Sequence, residues 1–255
     1  MARQETVRVW RLGPELLAAA ADEGMAARYS DWRTMLSIAE QRRADAFRAE
    51  QHRRDYLVAH VGLRVVLGRL VQAPPALLRF SAENGQKPAL MEDWGTGPEQ
   101  LDLRFNLSHT QGAVLIAVAE GFEVGVDVEQ QRPLEDLEGM ARTVMSDMES
   151  AHWLKLPPEF RCQAFYRLWT RKEAYLKAIG LGLFRDLHEV TVPVSPAPLA
   201  EPAVVTDQNG DGVWSVLDVP VWEGFSASLC WRGASAVEVV VKDLSLDDLL
   251  LKDLR

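Results

Sequence analysis

Cysteine is scarce in the 255-residue chain: Cys162 and Cys230 stand far apart, with no CxxC. That spacing excludes a zinc ribbon or a disulfide ladder, and makes two buried thiols in a reducing compartment the expectation. No apolar stretch reaches about 18 residues without a charge, so no membrane span is expected. Met1 to Thr6 have no apolar run behind their positive charge, so no secretory signal is expected and the cytoplasm is the default location. Positive charge is also short. Lys and Arg number 28 against 37 Asp and Glu, a net charge of −9. Bulk nucleic-acid binding needs the reverse balance, although a net value says nothing against a local basic pocket. Two enzyme signatures are missing as well: there is no GxSxG nucleophile elbow and no GxxxxGK[ST] phosphate loop.

What is present suits a globular protein. Apolar residues make up 47% and charged residues 25%, enough for a sizeable core. The length allows one large domain or two of about 100–150 residues each. Thr6 to Trp10 alternates and predicts a strand. Gly13-Pro14 opens a helix through Ala27, and a long helix with an Arg-rich face is expected from Ser37 to Val71, broken by Pro74-Pro75. A short strand at Leu78–Phe80 precedes an Asn84-Gly85 turn, and Glu92–Gln100 reads as a loop. Apolar strands follow at Leu103–Leu107, Ala113–Ala119 and Glu123–Val128. Helical patterns then resume, with a Ser146–Glu149 capping box and a helix from Glu159 to Ile179 closed by Gly180 and Gly182. Thr191–Pro202 is Pro-rich loop. Strands at Val213–Val219, Phe225–Cys230 and Val237–Val241 surround an Asn209-Gly210-Asp211-Gly212 turn, and the acidic tail is helical or frayed. This order is α+β. Two helix-then-strand blocks meeting near residues 120–125 hint at two similar halves, 1–122 and 123–245, with 246–255 as a tail. No residue-level repeat is visible in the sequence.

Four segments carry candidate chemistry. In Val124-Gly125-Val126-Asp127-Val128-Glu129 the valines share one strand face, and Asp127 and Glu129 share the other. Paired carboxylates repel unless a cation sits between them, and Mg²⁺ takes one or two carboxylates plus substrate phosphates. A solvated acidic strand edge explains the same six residues. Trp169, Glu173 and Lys177 are spaced i, i+4, i+8 and share a helix face, where a plain surface ion pair is the bland alternative. In Phe105-Asn106-Leu107-Ser108-His109-Thr110 an apolar strand ends in a polar cluster. These residues suit phosphate donors or a capped turn better than a hydrolase pair. Lys87 follows a turn in Asn84-Gly85-Gln86-Lys87-Pro88, where it suits either a phosphate or the solvent.

Taken in order, NGQKP, FNLSHT, VGVDVE and LWTRKEAYLKAIGLGL resemble the phosphopantetheinyl transferases. The likeness is to the large, monomeric, surfactin-synthetase-activating class, and runs from about Gln41 to about Val192. It implies a pseudo-dimer of two α+β halves with the active site between them. It implies transfer of the 4′-phosphopantetheine arm of coenzyme A to a serine of an apo carrier protein, leaving 3′,5′-ADP. Asp127, Glu129 and Glu173 would be ligands of Mg²⁺. Glu173, directly or through a water, would be the base, and Lys177 would assist the leaving phosphates. Ser108, His109, Lys87 and Lys172 would contact the coenzyme, with Arg53 and Arg54 as candidates from the first long helix. Asp55 departs from the family's commonest spelling there. The carrier would dock around Arg132 to Met145. Without the resemblance, another Mg²⁺-dependent phosphoryl enzyme and a non-catalytic binding module stay open.

Overall fold

The computed structural model describes residues 5–20, 26–81, 87–91, 102–180, 186–210, 212–234 and 237–249. The Asn84-Gly85 turn, the Glu92–Gln100 loop, Gly182 and Asp211 lie outside them.

Alternation makes the first strand, β1 (Thr6–Leu12), which buries Val7, Val9 and Leu12. Four helices follow: α1 (Pro14–Ala20), α2 (Ala26–Met35), α3 (Ile38–Asp45) and α4 (Glu50–Val71). The single helix expected from Ser37 to Val71 is therefore two. The α3 helix closes at Ala46, and Phe47 turns inward onto Tyr56, with ring centroids 5.5 Å apart. The short pair β2 (Phe80–Ser81) and β3 (Ala89–Leu90) leads to the antiparallel strands β4 (Leu103–Thr110) and β5 (Ala113–Glu120). The strand through Phe105–Thr110 does not stop at its polar cluster. It continues to Thr110.

The second half repeats the plan. After β6 (Val124–Gln130) come α5 (Leu137–Val144), α6 (Asp147–Leu154) and α7 (Pro158–Ile179). Strands β7 (Val190–Thr191), β8 (Ala203–Asp207), β9 (Trp214–Asp218) and β10 (Phe225–Arg232) follow. The chain then returns through β11 (Glu238–Asp243) and α8 (Leu246–Leu249). One sheet has the order β11-β1-β5-β4 and the other β6-β10-β9-β8-β7, so β1-β5-β4 in the first matches β6-β10-β9 in the second, antiparallel throughout.

The likeness reaches single residues. Each half has a helix opened by a capping box, Ser37 with Glu40 and Ser146 with Glu149. Each has a 22-residue helix closed by a left-handed residue, Gln72 or Gly180. The cap glutamate pairs with a buried cation at the fifteenth residue of that helix: Glu40 with Arg64 and Glu149 with Lys172, each at 2.6 Å. Sequence comparison of the halves misses this because the two cations differ in type.

The sheets face each other. Alternate residues of β5 serve two cores: Val114, Ile116 and Val118 pack under α4, while Leu115 and Ala117 meet Val124, Val126, Leu229 and Trp231 of the other sheet. The α7 helix covers the second sheet's outer face. The expected boundary at residue 245 does not follow the packing. β11 pairs in parallel with β1, and Leu244 and Leu249 are buried in the first half's core, so 238–249 belong to that half.

Candidate active site

The site is built where α7 and the two strands β4 and β6 meet. Gly125 makes the meeting close. A Cβ there would lie 2.1 Å from the Ala174 carbonyl oxygen and 2.4 Å from the Ala178 nitrogen, so only glycine lets β6 lie against the helix backbone. Strand alternation then sends Val124, Val126 and Val128 into the inter-sheet core and turns Asp127 and Glu129 to the other face.

β4 runs beside β6, joined to it through side chains. Asn106 Oδ1 accepts from the Val126 N–H at 2.9 Å, and Ser108 Oγ accepts from the Val128 N–H at 3.3 Å. Ser108 donates to Asp127 Oδ1 at 2.8 Å, and Thr110 donates weakly to Glu129 at 3.5 Å. These i, i+2, i+4 positions form one polar row along β4, a seam that the Asn-Leu-Ser-His-Thr run contains but that reads as a turn without the neighbouring strand.

Helix α7 supplies the opposite wall. Trp169, Glu173 and Lys177 share its groove-facing stripe, as their spacing predicts. Together with Leu107, Ser108, His109, Asp127 and Glu129 they line a cleft of about 300 Å³. Lys177 Nζ donates to Asp127 Oδ1 at 2.6 Å and to Ser108 Oγ at 2.8 Å.

Three carboxylates face one ammonium here. Asp127 Oδ2 and Glu173 Oε1 are both buried with no hydrogen-bond partner. An orphaned buried carboxylate oxygen is costly, and two in one groove call for a bound cation. Burial and the neighbouring Asp127 push Glu129 up to about 7, against smaller opposing effects of Lys177 and of hydrogen bonds from Trp169 and Thr110. Burial and Asp127 likewise raise Glu173. His109 sits at the exposed rim, and desolvation together with the nearby His60 and Lys177 holds its ring below the usual histidine pKa. Among the described residues no group of three or more His, Cys, Asp or Glu side chains is already gathered closely enough to hold a metal ion. An open carboxylate groove fits Mg²⁺, which keeps positions for water and substrate phosphates.

Four expected coenzyme contacts do not line this cleft. Lys172 is fully buried on the far side of α7, where it donates to Glu149 at 2.6 Å and to the Val144 and Leu187 carbonyls. As the counterpart of Arg64 it holds the fold, and its ammonium is out of reach of any ligand. Lys87 donates to Glu123 and to the Val124 and Ala178 carbonyls. Arg53 and Arg54 stand over Glu50 at the start of α4, at 2.9 and 4.0 Å.

The 4′-phosphopantetheinyl transferase superfamily profile matches residues 123–230, the span that holds all three carboxylates and Lys177. The transferase HetI of Nostoc sp. (strain PCC 7120) is 34% identical over 189 residues, covering 74% of this chain and 75% of the relative. The chain belongs to the 4′-phosphopantetheinyl transferase family. A putative transferase of Synechocystis sp. (strain PCC 6803) is 27% identical, covering 74% of each chain. The transferase Sfp of Bacillus subtilis (strain 168) is 30% identical, covering 53% of this chain and 56% of its own. This phosphopantetheinyl transferase is thus an enzyme that moves the phosphopantetheine group of coenzyme A to a carrier-protein serine. No helix among its described residues is long and apolar enough to cross a membrane.

Proposed function

We propose that the transferase works with Mg²⁺ held by Asp127, Glu129 and Glu173, and that coenzyme A lays its pyrophosphate across the cleft between α7 and β6. The observation that carries this reading is the pair of orphaned oxygens, Asp127 Oδ2 and Glu173 Oε1, in one cleft. When bound, the ion supplies Lewis-acid stabilisation of the charge growing on the phosphates. The carrier serine hydroxyl attacks the β-phosphorus, the bond to the bridging oxygen breaks, and 3′,5′-ADP leaves. Glu173 takes the serine proton, a role suited by a carboxylate whose burial raises its proton affinity. Two N–H groups of Lys177 already hold Asp127 and Ser108, which orients its ammonium toward the leaving phosphates. His109, at the rim, faces the nucleotide's 3′-phosphate.

The carrier docks along the segment from Arg132 to Met145. There α5 presents exposed Met140, and the Arg132 guanidinium donates to the neutral amide oxygens of Gln130 and Gln111, which leaves its charge for an acidic partner helix. A monomer in the cytoplasm completes this reading. Incubation with coenzyme A, Mg²⁺ and an apo carrier domain, followed by mass measurement of the carrier, tests it. The expected result is the mass of one phosphopantetheine, lost on chelation of the metal and in Glu173→Gln. Full labelling by the chelated enzyme, or by Glu173→Gln, refutes the assignment.

A further inference from the structure

We propose that Lys87 is a positioning residue whose ammonium ties the two ligand-bearing elements of the cleft together in place of binding the coenzyme's phosphates. The inference rests on the reading of the cleft as a divalent-cation site. An ammonium has three N–H donors. Those of Lys87 go to Glu123 Oε2 at 2.7 Å, the Val124 carbonyl at 2.6 Å and the Ala178 carbonyl at 3.4 Å. None is left for a phosphate, and the side chain is only 14% exposed.

The acceptors identify what is tied. Val124 is the first residue of β6, three positions before Asp127. Ala178 is the penultimate residue of α7, one after Lys177 and five after Glu173. Its carbonyl is one of the last four of the helix, which lack intrahelical partners and carry the negative end of the dipole, so a cation is favoured there. Between these anchors Gly125 presses the strand onto the helix backbone at Ala174 and Ala178. The spacing of Asp127 from Glu173 is therefore set by one backbone contact, and Lys87 grips both of its sides. Glu123 extends the grip to the first half: its other oxygen accepts from Arg104 of β4 at 3.1 Å. The Lys87 Cβ also lies 3.4 Å from the Cβ direction of Gly180, the left-handed residue that ends α7.

Removing the ammonium frees the carboxylates to spread, which weakens the metal without touching the coenzyme. The test is a calorimetric titration of Mg²⁺ into the free protein, for wild type, Lys87→Met, Glu123→Gln and Asp127→Asn, with the KM for coenzyme A measured at saturating Mg²⁺. Lys87→Met is expected to weaken Mg²⁺ binding about 10-fold, the scale of outer-shell changes around metal ligands, with the KM unchanged. Glu123→Gln keeps both carbonyl partners of Lys87 and gives a smaller shift in the same direction, so it carries the test if Lys87→Met does not fold. A raised KM with unchanged Mg²⁺ affinity makes Lys87 a coenzyme ligand and overturns the inference. A lowered melting temperature with unaltered Mg²⁺ affinity and KM reduces it to a structural residue, which also overturns it. If wild type and Asp127→Asn bind Mg²⁺ alike, the cation reading of the cleft itself fails, and the inference with it.

Discussion

At the scale of single residues, the same cap motif that starts a helix also sets an acid-sensitive contact. Burial opposes charge on Glu40, but hydrogen bonds from His60 and Arg64 outweigh it and hold its carboxyl at about 2, against an ordinary 4.5. A carboxylate depressed in the folded state adds stability that is fully present above its unfolded value and is lost as pH falls through the folded one. The contribution here is roughly 3 kcal/mol and disappears between about pH 4.5 and 2. Denaturant unfolding of wild type and Glu40→Gln from pH 6 to 3 should show a gap that narrows below 4.5. A gap constant across that range removes the ion pair as its source. Gly125 makes a second prediction. Alanine there puts a methyl 2.1 Å from the Ala174 carbonyl oxygen, well inside van der Waals contact distance, against the backbone of the helix. Gly125→Ala should destabilise by about 3 kcal/mol or more and abolish transfer, seen as a lower unfolding midpoint.

At the scale of elements, α7 works on two faces. One stripe, Trp169, Glu173 and Lys177, lines the cleft, while Arg171 and Lys172 turn into the protein toward Asp218 and Glu149. Both the legible and the illegible parts of the site follow from this. Periodicity finds the groove stripe because three chemically distinct residues repeat at i, i+4, i+8. Strand alternation likewise separates Asp127 and Glu129 from the valines. The Lys172–Glu149 pair is invisible, because its partner comes from another helix and a buried lysine looks in sequence like a surface one. The break between α3 and α4 escapes for a related reason. No proline or glycine marks it, and inward packing of Phe47 decides it. The polar row on β4 reads as a turn until β6 is beside it. Lys172→Met should cost about 3–5 kcal/mol, because it leaves the buried Glu149 carboxylate without its cation, held by the backbone N–H groups of Ser146 and Val192. The double change Lys172→Met with Glu149→Gln should recover much of that loss, while the KM for coenzyme A stays at the wild-type value in any variant that folds. A KM that rises with Lys172→Met restores the lysine to the coenzyme site.

At the scale of the whole molecule, two similar halves share one active site because neither half is closed. The first half presents β4 to the seam and the second presents β6, and the cleft is complete only when Asn106 and Ser108 reach across to Val126, Val128 and Asp127. The chain order adds a second tie. After building the second sheet it returns as β11, pairs in parallel along β1 from Thr6 to Arg11, and buries Leu244 and Leu249 beside α4. Trp32, almost wholly buried, donates its indole N–H to the Leu249 carbonyl at 3.1 Å, and Arg69 pairs with Asp248 at 2.8 Å. The first half therefore lacks an edge strand and part of its core until the last residues arrive, so the halves should unfold together. A fragment of residues 1–122 should stay largely unfolded by circular dichroism, with β1 left as an open edge and the apolar contacts of Leu244 and Leu249 gone. Adding a peptide of residues 237–255 should raise its helical signal, since it restores the missing strand and apolar contacts. A 1–122 fragment that folds cooperatively without the peptide would show that the first half stands alone, and that the returning strand is an ornament on a finished domain.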